Sequence, residues 1–179
     1  MQALILIDIQ NDYFEGGAMR LSGSEEAAEI ARQVMEYFRL NHQPVIHIRH
    51  IATRPGATFF LPDTPGAETY HAVRPLSDEQ VIIKHYPNSF RETGLQNTLQ
   101  LLDIKELIIC GMMTHMCVDA TVRAAKDLGY TITLIGDACA TKDLEHDGRC
   151  IQAADVHGAF LAALDGTYAR VIPRSAFLQ

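Results

Sequence analysis

Residues 107–125 constrain the fold more than any other stretch. Leu107-Ile108-Ile109-Cys110 is an unbroken apolar run that enters Gly111, and from Val118 onward Val118, Thr121, Val122 and Ala125 recur at helical spacing. The stretch reads as a buried strand, a tight turn and a helix. A strand that is apolar on both faces needs cover on both, which calls for a parallel sheet between helices. The same order recurs along the chain. Ala3-Leu4-Ile5-Leu6-Ile7 is a second apolar run, ending on Asp8, and Ser24-Glu25-Glu26 opens an amphipathic helix reaching about Leu40, with Ser24 as its cap. Pro44–His50 and the buried-type run Gln80–Lys84 supply two more strands, and a short helix follows from Leu95 to about Leu102. Tyr130–Ile135 and Tyr168–Ile172 complete the strands, followed by a tail from Pro173. Asp147 is placed to cap a long helix from about Gly148 to Leu164, with Ile151, Ala154, Val156, Ala159, Phe160, Ala163 and Leu164 towards the sheet. Regular alternation of strand and helix makes the class α/β with a mainly parallel sheet and right-handed crossovers.

At 179 residues the chain suits one domain, residues 1–179. Neither a repeat nor a linker interrupts it. The residues from Ala52 to Pro75 hold four prolines, no sustained period and the aromatics Phe59, Phe60 and Tyr70, which marks a lid or binding loop over a pocket. A net charge of -7 without a basic stripe argues against nucleic acid, and no apolar run is long enough to cross a bilayer. The start Met1-Gln2-Ala3 lacks a secretory signal's basic end and cleavage site, so the expected location is cytoplasmic. Cys110, Cys117, Cys139 and Cys150 follow neither zinc-site spacing nor disulfide-scaffold density and read as reduced thiols. The expected partner is a small-molecule substrate.

Three strands end on reactive groups. Asp8 follows the first, Lys84 closes the third, and Cys117 sits where the helix after Gly111 begins. Each has a plain explanation: an Asx turn for Asp8, a snorkelling surface amine for Lys84, a small buried helix-capping thiol for Cys117. In an open parallel sheet, however, the carboxyl ends of the strands converge on one crevice. There a carboxylate accepts the thiol proton, an ammonium stabilises the thiolate, and the helix N-terminus favours its charge. Backbone N–H groups around Met113 and Cys117 are placed to hold an oxyanion.

At these residues the sequence resembles the isochorismatase-like cysteine hydrolases, a superfamily that includes nicotinamidases and N-carbamoylsarcosine amidases. The matching pieces are Leu6-Ile7-Asp8-Ile9-Gln10-Asn11-Asp12-Tyr13-Phe14, then Lys84 with Ser89-Phe90 and Thr93-Gly94-Leu95, then Gly111-Met112-Met113-Thr114-His115-Met116-Cys117-Val118. The resemblance implies Asp8 as general acid/base, Lys84 as its electrostatic partner and Cys117 as nucleophile. It also implies a cis peptide bond between Met112 and Met113, a three-layer α/β/α fold with a six-stranded sheet, and a homodimer or homotetramer. Gln10, Phe14, His50, Phe59, Tyr86 and His115 are the candidates for touching substrate, although any of them also suits packing or a surface position. His157, on an otherwise apolar helix, reads as structural.

The nicotinamidase branch carries an Asp-x-His and a further His that bind a metal. Here only His50 matches, with Ile48 and Phe59 at the other two positions, so neither a metal nor any other cofactor is expected. The branch that cleaves a vinyl ether has a small residue in place of Cys117, which leaves a C–N hydrolase acting on an amide, ureido or carbamoyl bond. The alternative from another class is a catalytically silent binding or redox-sensing protein that uses Cys117 as a reactive thiol. A nucleotide-binding domain ranks third, since neither a GxGxxG nor a P-loop is present.

Overall fold

The computed structural model describes residues 1–178. Six parallel strands form the central sheet: β1 (Gln2–Ile7), β2 (Val45–His50), β3 (Gln80–Lys84), β4 (Glu106–Met112), β5 (Thr131–Ala140) and β8 (Arg170–Ile172), in the order β3-β2-β1-β4-β5-β8. Leu4 and Leu6 of β1 point to one face, against Ala27, Ala28, Ala31, Val34, Met35 and Phe38 of α1 (Ser24–Leu40). Ala3, Ile5 and Ile7 point to the other. They meet Leu95 and Leu99 of α2 (Leu95–Leu101), Val122 and Ala125 of α3 (Asp119–Asp127), and Leu164 of α4 (Ala153–Leu164). That double covering is why β1 is apolar at consecutive positions. The three-layer α/β/α architecture with a six-stranded parallel sheet agrees with the expectation from the sequence.

The chain leaves β1 towards β2 on one side, while β4 lies on its other side, so the direction of winding reverses between β1 and β4. The crevice at such a switch point is where open α/β sheets bind ligands. Gly111 permits the close approach there: it pairs with Ile7, its φ is 144°, and a methyl group on it would overlap the Ile7 carbonyl. At the opposite end of the sheet Glu79 fixes the start of β3. Its carboxylate accepts from Arg39 Nε at 2.7 Å, His47 Nε2 at 2.9 Å and the Leu76 N–H at 2.9 Å.

Several expectations are corrected. Residues 148–152 are not helical: β6 (Leu144–His146) and β7 (Arg149–Ile151) form an antiparallel hairpin before α4 begins. Asp147 and Gly148 have φ of 49° and 71°, the two positive values of a primed two-residue turn. The N-cap of α4 is Gln152, and the first helical N–H, that of Ala153, donates to Asp143 Oδ1 at 2.7 Å. Ile151, placed in the hairpin, is exposed, as are Ala154, Ala159 and Ala163 of α4. Ser24 is the first residue of α1, preceded by Gly23 at a φ of 70°, and its hydroxyl caps nothing. β3 is an edge strand and not a fully buried one, with Val81 and Ile83 exposed. The tail after Pro173 contains a short helix, α5 (Arg174–Phe177). Among the described residues no helix is long and apolar enough to cross a membrane.

Candidate active site

Asp8 directly follows β1, and its φ of 51° turns the chain sharply at the sheet edge. Lys84 is the last residue of β3 and pairs in register with His50 at the end of β2. Cys117 lies in a single π-helical turn, Thr114–Val118, between β4 and α3. That turn is fastened by Thr114, whose hydroxyl donates to the Ala140 carbonyl at 3.2 Å and lies 2.9 Å from His157 Nδ1. The Met112–Met113 peptide immediately before it is cis.

The three side chains meet. Lys84 Nζ is 2.6 Å from Asp8 Oδ2, and both side chains are fully buried. The same ammonium donates to Cys117 Sγ at 3.2 Å and to the Tyr86 carbonyl at 3.1 Å, and it lies 3.0 Å from His50 Nδ1. Neither Asp8 oxygen has a hydrogen-bond partner of acceptable geometry among the described residues, so the carboxylate is held by charge and its lone pairs stay open to a proton.

Burial and neighbouring charge act on the three groups in different directions. Burial pushes the Asp8 carboxyl above its ordinary value, outweighing Lys84 and Cys117. Burial alone would lower Lys84, but the charges of Asp8 and Cys117 more than offset it and hold the amine up, as an ammonium. Burial and then Asp8 push the Cys117 thiol well up, against the pull of Lys84. This corrects the expectation of a thiolate favoured at a helix N-terminus: the resting sulfur keeps its proton, because desolvation disfavours its charge more than the helix end and the ammonium favour it. The Lys84 ammonium 2.6 Å away is what favours a carboxylate at Asp8, beside a Cys117 that keeps its thiol proton. Moving the thiol proton to Asp8 leaves the net charge of the buried group unchanged.

Cys117 opens on a cavity of about 440 Å³ whose walls include Tyr13, His50, Phe59, Phe60 and Tyr86, with Met113 and Met116 beside the sulfur. The lid contributes Ala52, Thr53, Arg54 and Ala57. Asp12 anchors it: one carboxylate oxygen accepts from the Phe60 N–H at 2.6 Å, the other from the Ala18 N–H at 3.2 Å, and a methyl group on Gly66 would overlap this carboxylate. Of the expected substrate contacts, His50, Phe59 and Tyr86 line the cavity, and so does Met113. Gln10, Phe14 and His115 do not. The Gln10 amide bridges the chain instead, donating to the His50 and Ala67 carbonyls and accepting from the His50 N–H. Phe14 is buried in a stack with Tyr70, and His115 Nδ1 bonds to Thr141 Oγ1 at 2.5 Å. Tyr13 and Arg54 are cavity residues that reading the sequence passed over. Tyr13 follows Asp8 in the same loop, a position that marks it, whereas nothing in the sequence singles out Arg54.

Asp8, His50 and Cys117 offer one oxygen, one nitrogen and one sulfur within 4.8 Å of one another, a set able to hold a cation. The Lys84 ammonium already contacts all three. The metal position of the nicotinamidase branch does not fit this chain, because Ile48 is a buried apolar residue and Phe59 an aromatic wall of the cavity.

Comparison with known proteins agrees with this fold. The model of the isochorismatase domain matches residues 2–165. The isochorismatase family protein YddQ of Bacillus subtilis is 49% identical, over 99% of this chain and 98% of its own length. A streptothricin hydrolase of Streptomyces noursei is 31% identical, over 98% of this chain and 63% of its own length. The crystal structure of an isochorismatase from Pseudomonas putida superposes with a TM-score of 0.92 at 39% identity, covering 98% of this chain and 89% of that one.

Proposed function

The chain belongs to the isochorismatase family of hydrolases, and from that premise we propose that it is a cysteine amidohydrolase cleaving a C–N bond in a small amide, ureido or carbamoyl compound. The observation that carries this reading is the contact of one buried ammonium with both Asp8 and Cys117. The similarity to a streptothricin hydrolase supports it.

The steps follow from the resting state. Asp8 takes the Cys117 proton, and the thiolate remains against Lys84. As the sulfur attacks the substrate carbonyl carbon, a C–S bond forms and the C=O pair moves to oxygen, held by the backbone N–H groups of Met113 and Cys117. Collapse breaks the C–N bond, and the leaving nitrogen takes the proton from Asp8. Asp8, again a carboxylate, draws a proton from water as its oxygen attacks the thioester. The C–S bond breaks, and Asp8 returns the proton to sulfur. A base with a raised pKa suits both halves, since it must release the proton it has accepted.

A redox-sensing role is less well supported, because Cys117 is 5% exposed and its thiol is pushed up. The test is a hydrolysis screen over small amides, ureido acids and carbamoyl compounds, followed by ammonia release, with Cys117→Ala as control. Turnover in the wild type that falls at least about 10³-fold in Cys117→Ala supports the reading. Undiminished turnover in the variant, or reversible oxidation of Cys117 with no substrate hydrolysed, overturns it.

A further inference from the structure

We propose that the substrate carries a negative charge, a carboxylate on a flat or apolar body, and that Arg54 at the cavity mouth holds it. This rests on the reading of the site as an amide hydrolase and adds the chemical class that the hydrolase accepts.

The polar groups facing the cavity are unequal in kind. The Tyr13 phenol belongs to a residue only 1% exposed, lines the cavity, and has no hydrogen-bond partner among the described residues. Burial and the neighbouring charges of Cys117, Asp8 and Asp12 keep it protonated. His50 faces Lys84 with Nδ1, which must accept from an ammonium, so its ring proton sits on Nε2. His85 Nδ1 is taken by the Ile51 carbonyl at 2.8 Å. Arg54, an exposed residue of the cavity lining, supplies up to five more N–H groups. The cavity walls contain no Asp or Glu among the described residues.

Donors that face a cavity without a protein acceptor are matched by a ligand bearing acceptors. The aromatic walls suit a flat or apolar body, and the one fully charged group on them is a guanidinium, which pairs well with a carboxylate. A cationic ligand would meet Arg54 with no carboxylate in the cavity walls to offset it. The overall charge of -7 opposes anions only at long range, and it is screened beyond about 8 Å at physiological ionic strength. Contact with Arg54 is inside that distance.

Three probes of one shape test this: benzamide, 4-carboxybenzamide and 4-(aminomethyl)benzamide. Binding is measured by calorimetry on Cys117→Ala, and turnover by ammonia release with the wild type. The expected order of affinity is anionic, then neutral, then cationic, with the anionic probe favoured about tenfold over benzamide, equivalent to about 1.4 kcal/mol. Arg54→Gln should abolish that ratio, and Arg54→Lys should restore part of it. Equal binding of all three probes, no binding of the anionic one at millimolar concentration, or a ratio unchanged by Arg54→Gln overturns the proposal. Charge-selective binding with no hydrolysis of any amide would instead overturn the hydrolase reading and leave the anion site standing. Hydrolysis indifferent to charge would do the reverse.

Discussion

Lys84 Nζ lies 3.0 Å from Nδ1 of His50, an imidazole that burial, then Lys84, His85 and Arg54 hold down to about 3. The ring is therefore neutral throughout the working range. It serves as an acceptor that, with Asp8, Cys117 and the Tyr86 carbonyl, fixes the direction of the ammonium. His50→Leu should lower kcat about tenfold by leaving Lys84 less well aimed, while His50→Asn keeps an acceptor and should lose less. In both variants the acidic limb of the pH–rate profile should persist. Its disappearance in His50→Asn would make His50, and not Asp8, the titrating base.

That acidic limb belongs to Asp8. The carboxylate must be ionised to receive the thiol proton, and burial raises its pKa above 3.8. Activity should therefore fall as the pH drops through a value above the ordinary aspartate range. Asp8→Asn should reduce kcat/KM by about 10²–10⁴-fold and remove the limb. A wild-type limb at or below the ordinary value would contradict the assignment.

Asp12 controls the lid from outside the reaction. Asp12→Ala strands the Phe60 and Ala18 N–H groups and should cost about 1–3 kcal/mol of stability. Because Phe59 and Phe60 form part of the cavity wall, KM should rise more than kcat falls. Gly66→Ala should show the same pattern, since its methyl group meets the Asp12 carboxylate. Melting curves and steady-state kinetics on the two variants decide the matter. A loss confined to kcat would place Asp12 in the chemistry.

Stability should decline in acid. Burial lowers His47, His50, His115 and His157 below 6.5, so the unfolded chain takes up their protons first and stability falls as the pH drops below about 6.5. Glu79 adds a second loss. Burial opposes ionisation there, but Arg39, the Leu76 N–H and His47 bring it to about 2, so its contribution is present above about 4.5 and disappears as the pH falls towards 2. Asp8, raised in the folded state, works in the opposite direction above 3.8 and offsets part of this. Thermal midpoints from pH 7 downwards should fall, and a midpoint that rises from 7 to 5 would rule the histidine argument out.

The layer architecture was legible because β1 and β4 are apolar at consecutive positions, a pattern that only double burial explains. The juxtaposition of Asp8, Lys84 and Cys117 was legible because each ends a strand or opens the turn that follows one. The hairpin at 144–151 was missed although Asp147-Gly148 is a strong turn signal, because the apolar residues beyond it continue a helical period. The state of Cys117 is illegible for another reason: a helix end can be read from sequence, but the depth of burial that opposes it cannot. The place of Arg54 in the cavity lining is not legible, because it depends on where a loop folds back.

The pairing of His50 with Lys84 has a consequence for how this scaffold diversifies. The long excursion between β2 and β3 departs just after His50, where the Ile51 N–H is pinned to the Lys84 carbonyl at 3.0 Å, and returns at Gln80, in register with Ile46 at the far end of the strands. The stretch 53–75 can therefore be lengthened, shortened or rewritten while Cys117, Asp8 and Lys84 stay where they are. On the proposed reading, ligand preference lies in the excursion and bond-breaking at the strand ends, so one can drift while the other is kept.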